Sequence, residues 1–532
     1  MNTTDTKQAE ARILWVDDEI GHLKPHLMFL EQKGMAVETA TNGEDALETV
    51  HEQAFDIVFL DENMPGMSGL EVLSEIKKIR PHTPVVMITK NEAEDVMEQA
   101  IGSKIADYLI KPVNPNQILL AIKKLLKGKA LVGEHANRGY QQSFTQISMA
   151  FFEDMDTEAW KDIYRKLVYW DIELEQAQDQ GMREVLNSQM VEANVNFGKF
   201  ITREYADWTQ ADANERPTLS PDLLAKHVFP HLRSQKEDNY DSVFFLLVDC
   251  LRYDQWKVFE AVLADFYTIE EDELYFSILP TATQYARNSI FAGLFPLQIQ
   301  QEHPDLWVFD EEDRGKNLHE EELLGHNLKR HGLDVKWSYK KIISNEDAKG
   351  LDQNVNNFMQ NDLNVVVVNF IDMLAHARAD MNVIRELSPD EPALRSISRS
   401  WLEHSALLAL LKELREKRVK IILSTDHGVI RVKRPLKIVG DRDTSTNLRY
   451  KHGRNLNYDE KDRLIYGERK PEDIQLPSSN VSGSFAFALE DGYFVYPNNY
   501  NKFANKYNDT LQHGGVSLEE MLVPVVSLKP KR

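Results

Sequence analysis

Three unbroken apolar runs limit the folds open to this chain more than any other feature: VFFLLV at 243–248, VVVVNFI at 365–371 and IILST at 421–425. A run without polar alternation has no solvent face, so each predicts a strand buried on both faces of a parallel sheet. Each run ends at an acid, namely Asp249, Asp372 and Asp426. Strands of a parallel sheet present their carboxyl ends along one edge, so acids far apart in the chain converge there. Imidazoles accompany them: His376 in DMLAH, His427 in STDHG, and His513 at the head of HGGVSLEE. Converging carboxylates need a cation, and a mixed Asp and His set suits Zn²⁺, with Mn²⁺ as the alternative. Six such ligands exceed one tetrahedral ion. They suit two ions about 3.5–4 Å apart, a spacing that serves in-line displacement at phosphorus.

A nucleophile is expected on the next strand-to-helix turn, and ILPTATQYARNSIFAG offers Thr281 and Thr283 there. A hydroxyl at a helix amino terminus sits where anions are favoured. Arg287, four residues after Thr283, is expected one turn up as a clamp on a phosphoryl oxygen. The segment 431–454 is basic in an otherwise acidic chain of net charge −23. It is read as a collar for an extended anionic substrate, with Arg449, Lys451 and Arg454 as the binding cations. The single cysteine, Cys250, excludes an intramolecular disulfide and reads as small core filler. His303, His319, His326 and His331 lack metal-ligand spacing and are read as surface. SGSFAFALEDGYFVYP predicts a hairpin turning at Asp491–Gly492, and Ser517 with Glu520 predicts a capping box.

Residues 11–127 alternate strands (ILWV, DIVFL, PVVMIT, DYLI) with helices such as GEDALETVHEQ. That alternation predicts a parallel sheet wrapped by helices, its site at the strand ends. Those ends carry Asp17, Asp18, Asp61, Thr89 and Lys111; an oxygen-only acidic set favours Mg²⁺. WVDDE, FLDENMPGMSG, MITK and YLIKP resemble the receiver domain of two-component response regulators, a flavodoxin-like fold. The resemblance implies Asp61 as phosphoacceptor, with Asp17, Asp18 and the backbone of Asn63 completing the Mg²⁺ cage. It also implies Thr89 and Lys111 as phosphoryl contacts and Tyr108 as the switch. Lys90 departs from the small residue common after that threonine.

Residues 128–235 read as a helical connector, with one apolar stripe at Trp160, Ile163, Tyr164, Leu167 and Val168 and another at Ala193, Phe197, Phe200, Ile201 and Trp208. A helix is expected to start at Ser220–Pro221–Asp222. No apolar run approaches a membrane span and the amino terminus lacks a secretory pattern, so the expectation is a cytoplasmic protein with no membrane insertion. The acidic charge argues against direct duplex DNA binding.

LLVDC, PTATQYARNS, DMLAH, STDHG and HGGVSLEE resemble the alkaline phosphatase superfamily, in particular its PglZ branch, over 236–532. The resemblance implies an α/β domain with a central sheet. It places one metal on Asp249, Asp426, His427 and Thr283 and the other on Asp372, His376 and His513. The family spacing P-T-x-T selects Thr283 over Thr281, and a threonine nucleophile implies a phosphodiesterase. A receiver at 1–127, a connector at 128–235 and a PglZ domain at 236–532 together resemble response regulators of the PorX type. That resemblance implies a sensor histidine kinase, a sigma factor or other transcription regulator, control of type IX secretion in Bacteroidetes, and an oligonucleotide substrate. Phosphorylation is expected to drive a homodimer through the Tyr108 face and the helix at about 114–126. The competing expectation is a non-catalytic regulator whose PglZ-like domain binds a transcription factor.

Overall fold

The computed structural model describes residues 11–531 apart from 82, 90–104, 114, 178–179, 236, 238–239, 311, 313–314, 344, 349–350, 352–354, 442–443 and 481. Lys90 and Arg442 therefore lie outside the described residues. The chain forms two compact units, Met1–Arg138 and Gly139–Arg532.

The first unit is a five-stranded parallel sheet of β1 (Ala11–Val16), β2 (Met35–Ala40), β3 (Ile57–Asp61), β4 (Val85–Thr89) and β5 (Asp107–Ile110), in the order β2–β1–β3–β4–β5. Strands β3 and β4 are buried at every position, as apolar runs without alternation require. The helix Gly69–Ile79 starts in a full capping box between Ser68 and Glu71. Its first residue must be glycine, because a Cβ there would collide with the Asp61 carbonyl oxygen. The helix that begins after β5 in the described residues runs Pro115–Ala150, beyond the expected end near 126, and no proline interrupts it.

In the second unit the helices Thr157–Ala177 and Gln180–Gln210 pack together, and their two stripes are core as expected. Trp160 lies 5.3 Å from Phe197 and 5.8 Å from Phe200. The second stripe also meets the strand Tyr267–Phe276, with Trp208 5.0 Å from Phe276. Ser220 is not a helix cap. It sits in a short 3-10 turn, Ser220–Asp222, and its hydroxyl accepts the Ile278 N–H; Asp222 instead takes the Leu219 N–H and pairs with Arg216 at 2.8 Å.

The central sheet holds β6 (Ser242–Val248), β7 (Tyr267–Phe276), β8 (Trp337–Ile342), β9 (Leu363–Val368), β10 (Val419–Ser424) and a last strand, Leu522–Pro530. The order is β7, Leu522–Pro530, β10, β6, β9, β8. Strands β10, β6, β9 and β8 are mutually parallel, and the last strand runs antiparallel between β10 and β7. The run VVVVNFI is shorter as a strand than expected: β9 stops at Val368, and Asp372 lies on the first turn of the helix Phe370–Asp380. The expected hairpin is also corrected. Gly483–Ala488 pairs with Tyr450–Arg454 and Ile465–Glu468, while Gly492–Val495 pairs in parallel with Arg434–Lys437. Arg434 reaches Glu490 at 2.5 Å and also pairs with Asp491, drawing the chain after the turn to its own strand. Ser517 and Glu520 form their cap over the one-turn helix Leu518–Met521. Among the described residues no helix is long and apolar enough to cross a membrane.

Candidate metal centre

Parallel strands β6 and β10 end side by side, so Asp249 and the Asp426–His427 pair emerge on one edge, fully buried. The turn after His427 requires Gly428, since a Cβ would collide with the Glu519 carbonyl oxygen. Ligand atoms of Asp249, Asp426 and His427 lie within 4.8 Å of one another, and so do those of Asp372, His376 and His513. The parallel His427 and His513 rings, 4.3 Å apart, bring the two clusters together.

These donors fit divalent ions on three grounds. Asp249 Oδ1 and Asp426 Oδ2 are buried with no hydrogen-bond partner, a costly state for a carboxylate unless a cation meets it. His427 Nε2 lies 3.8 Å from Asp426 Oδ2 and 4.0 Å from Asp249 Oδ1, too far for hydrogen bonds. That spacing is near the roughly 3.4 Å ligand–ligand edge of a tetrahedral ion with bonds of about 2.1 Å. Finally, both ring tautomers are set. His427 Nδ1 faces the Gly428 carbonyl at 3.0 Å and His513 Nδ1 the Thr281 carbonyl at 3.1 Å. A carbonyl only accepts, so each Nδ1 carries the proton and each Nε2 lone pair is left for a ligand role.

Electrostatics agree. Burial lowers His427 and takes His513 down to about 4, keeping both rings neutral at neutral pH. Burial raises Asp249 to about 7 against the pull of Arg287, and it raises Asp426 as well. Burial also works to raise Asp372, but the His376 bond and the neighbouring imidazoles bring it down to about 2. The second cluster is the more open: the His376 side chain is 64% exposed, against none for His427.

Thr283 heads the helix Thr283–Ala292, half-buried, with Oγ1 3.1 Å from His427 Nε2. Thr281 is fully buried and spends its hydroxyl on the Gly514 N–H at 3.0 Å and the Gly515 carbonyl at 2.8 Å. Cys250 is buried too, its thiol pushed well up by burial, as suits core filler.

Two expectations are overturned. Arg287 is not placed to clamp a substrate: its side chain is 2% exposed and is engaged by Asp249 Oδ2 and Glu320 Oε1, both at 2.6 Å. The basic collar also dissolves. Arg449 is fully buried and paired with Glu520 at 2.5 Å, and Glu520 in turn accepts the Gly515 N–H behind His513. Lys451 is buried against the Ser445 carbonyl and the Tyr496 ring, its amine lowered to about 8 by burial. Arg454 alone of the three is exposed, 3.5 Å from Asp441. Arg431 and Arg434 are likewise paired with acids. Acids distant in sequence, invisible in a one-dimensional charge count, take up Arg431, Arg434 and Arg449. Glu320 escaped the sequence reading altogether, since EEE at 320–322 looks like an exposed helix start.

In the receiver unit Lys111 Nζ lies 2.9 Å from both Asp17 Oδ2 and Asp61 Oδ2. Asp61 Oδ1 is buried without a partner, and Asp17, Asp18 and Asp61 can offer three oxygens to one ion, which fits Mg²⁺. Burial raises Asp61 against the opposing Lys111. Thr89 ends β4, Asn63 lies two residues past Asp61, and Tyr108 is exposed on β5.

A strand-edge aspartate facing a lysine, and an Asp/His centre beside a threonine, define a response regulator with an alkaline-phosphatase-like effector. The chain belongs to the family described as the BREX system PglZ alkaline phosphatase-like domain, which matches residues 223–528, more than half of its length. The PorX response regulator linker domain matches 130–209 and the response regulator receiver domain 13–123, so the whole is a PorX-type response regulator. It is 37% identical over 131 residues to the alginate biosynthesis transcriptional regulatory protein AlgB of Pseudomonas aeruginosa, covering 25% of this chain and 29% of that one. It is 35% identical over 118 residues to the transcriptional regulatory protein ResD of Bacillus subtilis, covering 22% and 49%. The chain thus spans less than half the length of these curated relatives. Among solved structures, a CheY-like receiver from Methanospirillum hungatei is 32% identical, covering 22% of this chain and 94% of that one, with a TM-score of 0.21.

Proposed function

We propose that this chain is a phosphorylation-controlled, metal-dependent phosphodiesterase acting on oligonucleotides, linear or cyclic. The observation that carries the reading is the Thr283 hydroxyl, half-buried and 3.1 Å from His427 Nε2, beside two Asp/His clusters. Asp249, Asp426, His427 and Thr283 would hold one zinc-class ion (Zn²⁺, with Mn²⁺ the alternative), and Asp372, His376 and His513 the other. When bound, such ions supply charge stabilisation to the attacking and leaving oxygens of an in-line displacement. Thr283 Oγ1 then forms a bond to phosphorus as the bond to the leaving alcohol breaks; the hydroxyl proton passes to solvent water and solvent returns one proton to the departing alkoxide, so no net proton is gained or lost. A water molecule next displaces Thr283 from phosphorus, restoring the hydroxyl and releasing the second product. The Thr281, Arg449 and Glu520 bonds hold the 513–515 turn and so orient His513.

Control would come from a sensor histidine kinase acting on Asp61, with Mg²⁺ held by Asp17, Asp18, Asp61 and the Asn63 backbone. Thr89 and Lys111 would bond the new phosphoryl group and Tyr108 would report it. The reading extends to a cytoplasmic homodimer formed on phosphorylation, to a sigma factor or other regulator as partner, and to control of type IX secretion; the matched PorX linker supports that extension. Metal analysis with turnover of a chromogenic phosphodiester and a phosphomonoester tests the chemistry: two zinc-class ions and diester preference are expected. A metal-free, inactive protein would leave only a binding role. Sedimentation with and without beryllofluoride, on the native chain and Asp61→Ala, tests dimerisation; equal mass in both conditions would rule it out.

A further inference from the structure

We propose that Arg287, locked in place by Glu320, is the positioning residue of the Asp249–Asp426–His427 cluster, orienting Asp249 for metal and standing in for part of the metal's charge when the cluster is empty. This rests on the two-metal reading above. Arg287 Nη1 donates to Asp249 Oδ2 at 2.6 Å and lies 3.8 Å from Asp426 Oδ2, while its Nε donates to Glu320 Oε1 at 2.6 Å. Glu320 is itself anchored on β8, by Lys341 Nζ at 3.0 Å and by the Tyr339 hydroxyl. From Glu320 through Arg287 to Asp249 the contacts are dry, with Arg287 and Glu320 each 2% exposed, and Lys341 closes the outer end.

Two consequences follow from that geometry. With Oδ2 engaged, Asp249 has only Oδ1 left to offer, so it is a single-oxygen ligand of fixed direction. Buried carboxylates at 249 and 426 would also repel each other in an empty cluster, and a guanidinium between them offsets that repulsion. A planar fork suits the task, since it can hold Glu320 and Asp249 at once where an ammonium would act as a point charge. No such cation backs the other cluster in the described contacts: Asp372 is met by His376 at 3.4 Å and His513 at 3.8 Å.

The test is a Co²⁺ titration read by visible absorption on a His376→Ala background, which removes one ligand of the second cluster. Partners outside the ligand shell are commonly worth about 10–100-fold in metal affinity. Glu320→Gln should therefore weaken the remaining cluster by about 10-fold or more and alter its absorption band, while the second cluster of the otherwise native Glu320→Gln chain keeps its affinity. Arg287→Lys should recover only part of the affinity lost in Arg287→Met. Unchanged affinity and spectrum in Glu320→Gln would overturn the proposal. If Glu320→Gln fails to fold, as judged by circular dichroism, Tyr339→Phe takes its place with a smaller loss of about 3-fold expected, and no loss overturns the proposal. A native chain that binds no Co²⁺ at all would instead overturn the two-metal reading.

Discussion

Lys111 and Arg287 do comparable work at the strand ends of two different sheets. Each sets a cation against buried carboxylates, Asp17 and Asp61 in one case, Asp249 and Glu320 with Asp426 nearby in the other. The differences are in reach and company. Lys111 is an ammonium on a flexible stem, 17% exposed, among oxygen donors only. Arg287 is a rigid fork, 2% exposed, beside imidazoles already committed to one tautomer. A point charge can let go of one carboxylate and bond a phosphoryl oxygen, so the receiver corner suits a reversible modification. A fixed fork cannot easily do so, and the effector corner suits a resident metal.

The largest expected effect that sharpens this contrast is at the proposed nucleophile. Thr283→Ala should lower phosphodiester turnover by about 10³-fold or more with metal content intact, whereas Thr281→Ala should chiefly cost stability, about 1–3 kcal/mol, because it strands the Gly514 and Gly515 partners. Stopped assays and thermal melts on both variants separate the two. Retained turnover in Thr283→Ala would reassign the nucleophile.

Next comes metal exchange. Brief dialysis against a chelator should strip Mg²⁺ from the receiver corner while zinc-class metal persists in the effector, as elemental analysis can follow. Simultaneous loss would erase the distinction.

A smaller effect lies in pH. Asp249 titrates higher in the folded chain, at about 7, than its ordinary 3.8. The folded state therefore binds that proton more tightly than the unfolded one, and its contribution is full below about pH 4 and lost as pH rises through about 7. The metal-free chain should lose on the order of 2–4 kcal/mol across that window, and zinc should flatten the slope. Melting temperatures at pH 5 and 7.5, with and without zinc, check the sign.

The smallest effect is at Lys451, lowered by burial to about 8 from 10.5. There the unfolded state binds the proton more tightly, so native stability should rise between about pH 8 and 10.5. Lys451→Met should remove that rise, gain about 1 kcal/mol at pH 7, and leave hydrolysis of a small diester unchanged. A drop in hydrolysis would restore Lys451 to the substrate path.

Much of this was legible in the chain itself. Apolar runs that lack a solvent face announced β6, β9 and β10, and the acids and imidazoles behind them do assemble into the two expected clusters. The receiver strands were equally plain. What failed were inferences about charges and turns, whose outcome depends on partners distant in sequence. Arg449 looked like a free cation because Glu520, 71 residues on, is invisible to a local count. Arg287 looked like a clamp because its spacing from Thr283 fixes a helical face but not what packs against it. Asp491–Gly492 does turn, yet nothing local says that the following strand joins Arg434–Lys437.

The helix Gln180–Gln210 reaches both loops of the candidate centre. Asn194 Oδ1 accepts the Leu518 N–H at 2.8 Å, and its amide nitrogen bonds the Glu519 carboxylate. The Tyr205 hydroxyl accepts the Leu279 N–H at 2.7 Å, four residues before Thr283. A chain cut at 236 would leave both backbone donors buried and orphaned, at a cost of about 1–3 kcal/mol each. The effector is thus not a cassette that evolution or an engineer can lift out and graft onto another input. The heritable module is the linker and the alkaline-phosphatase-like domain together, and a transplant that respects that seam carries the scaffolding of the Asp/His clusters with it.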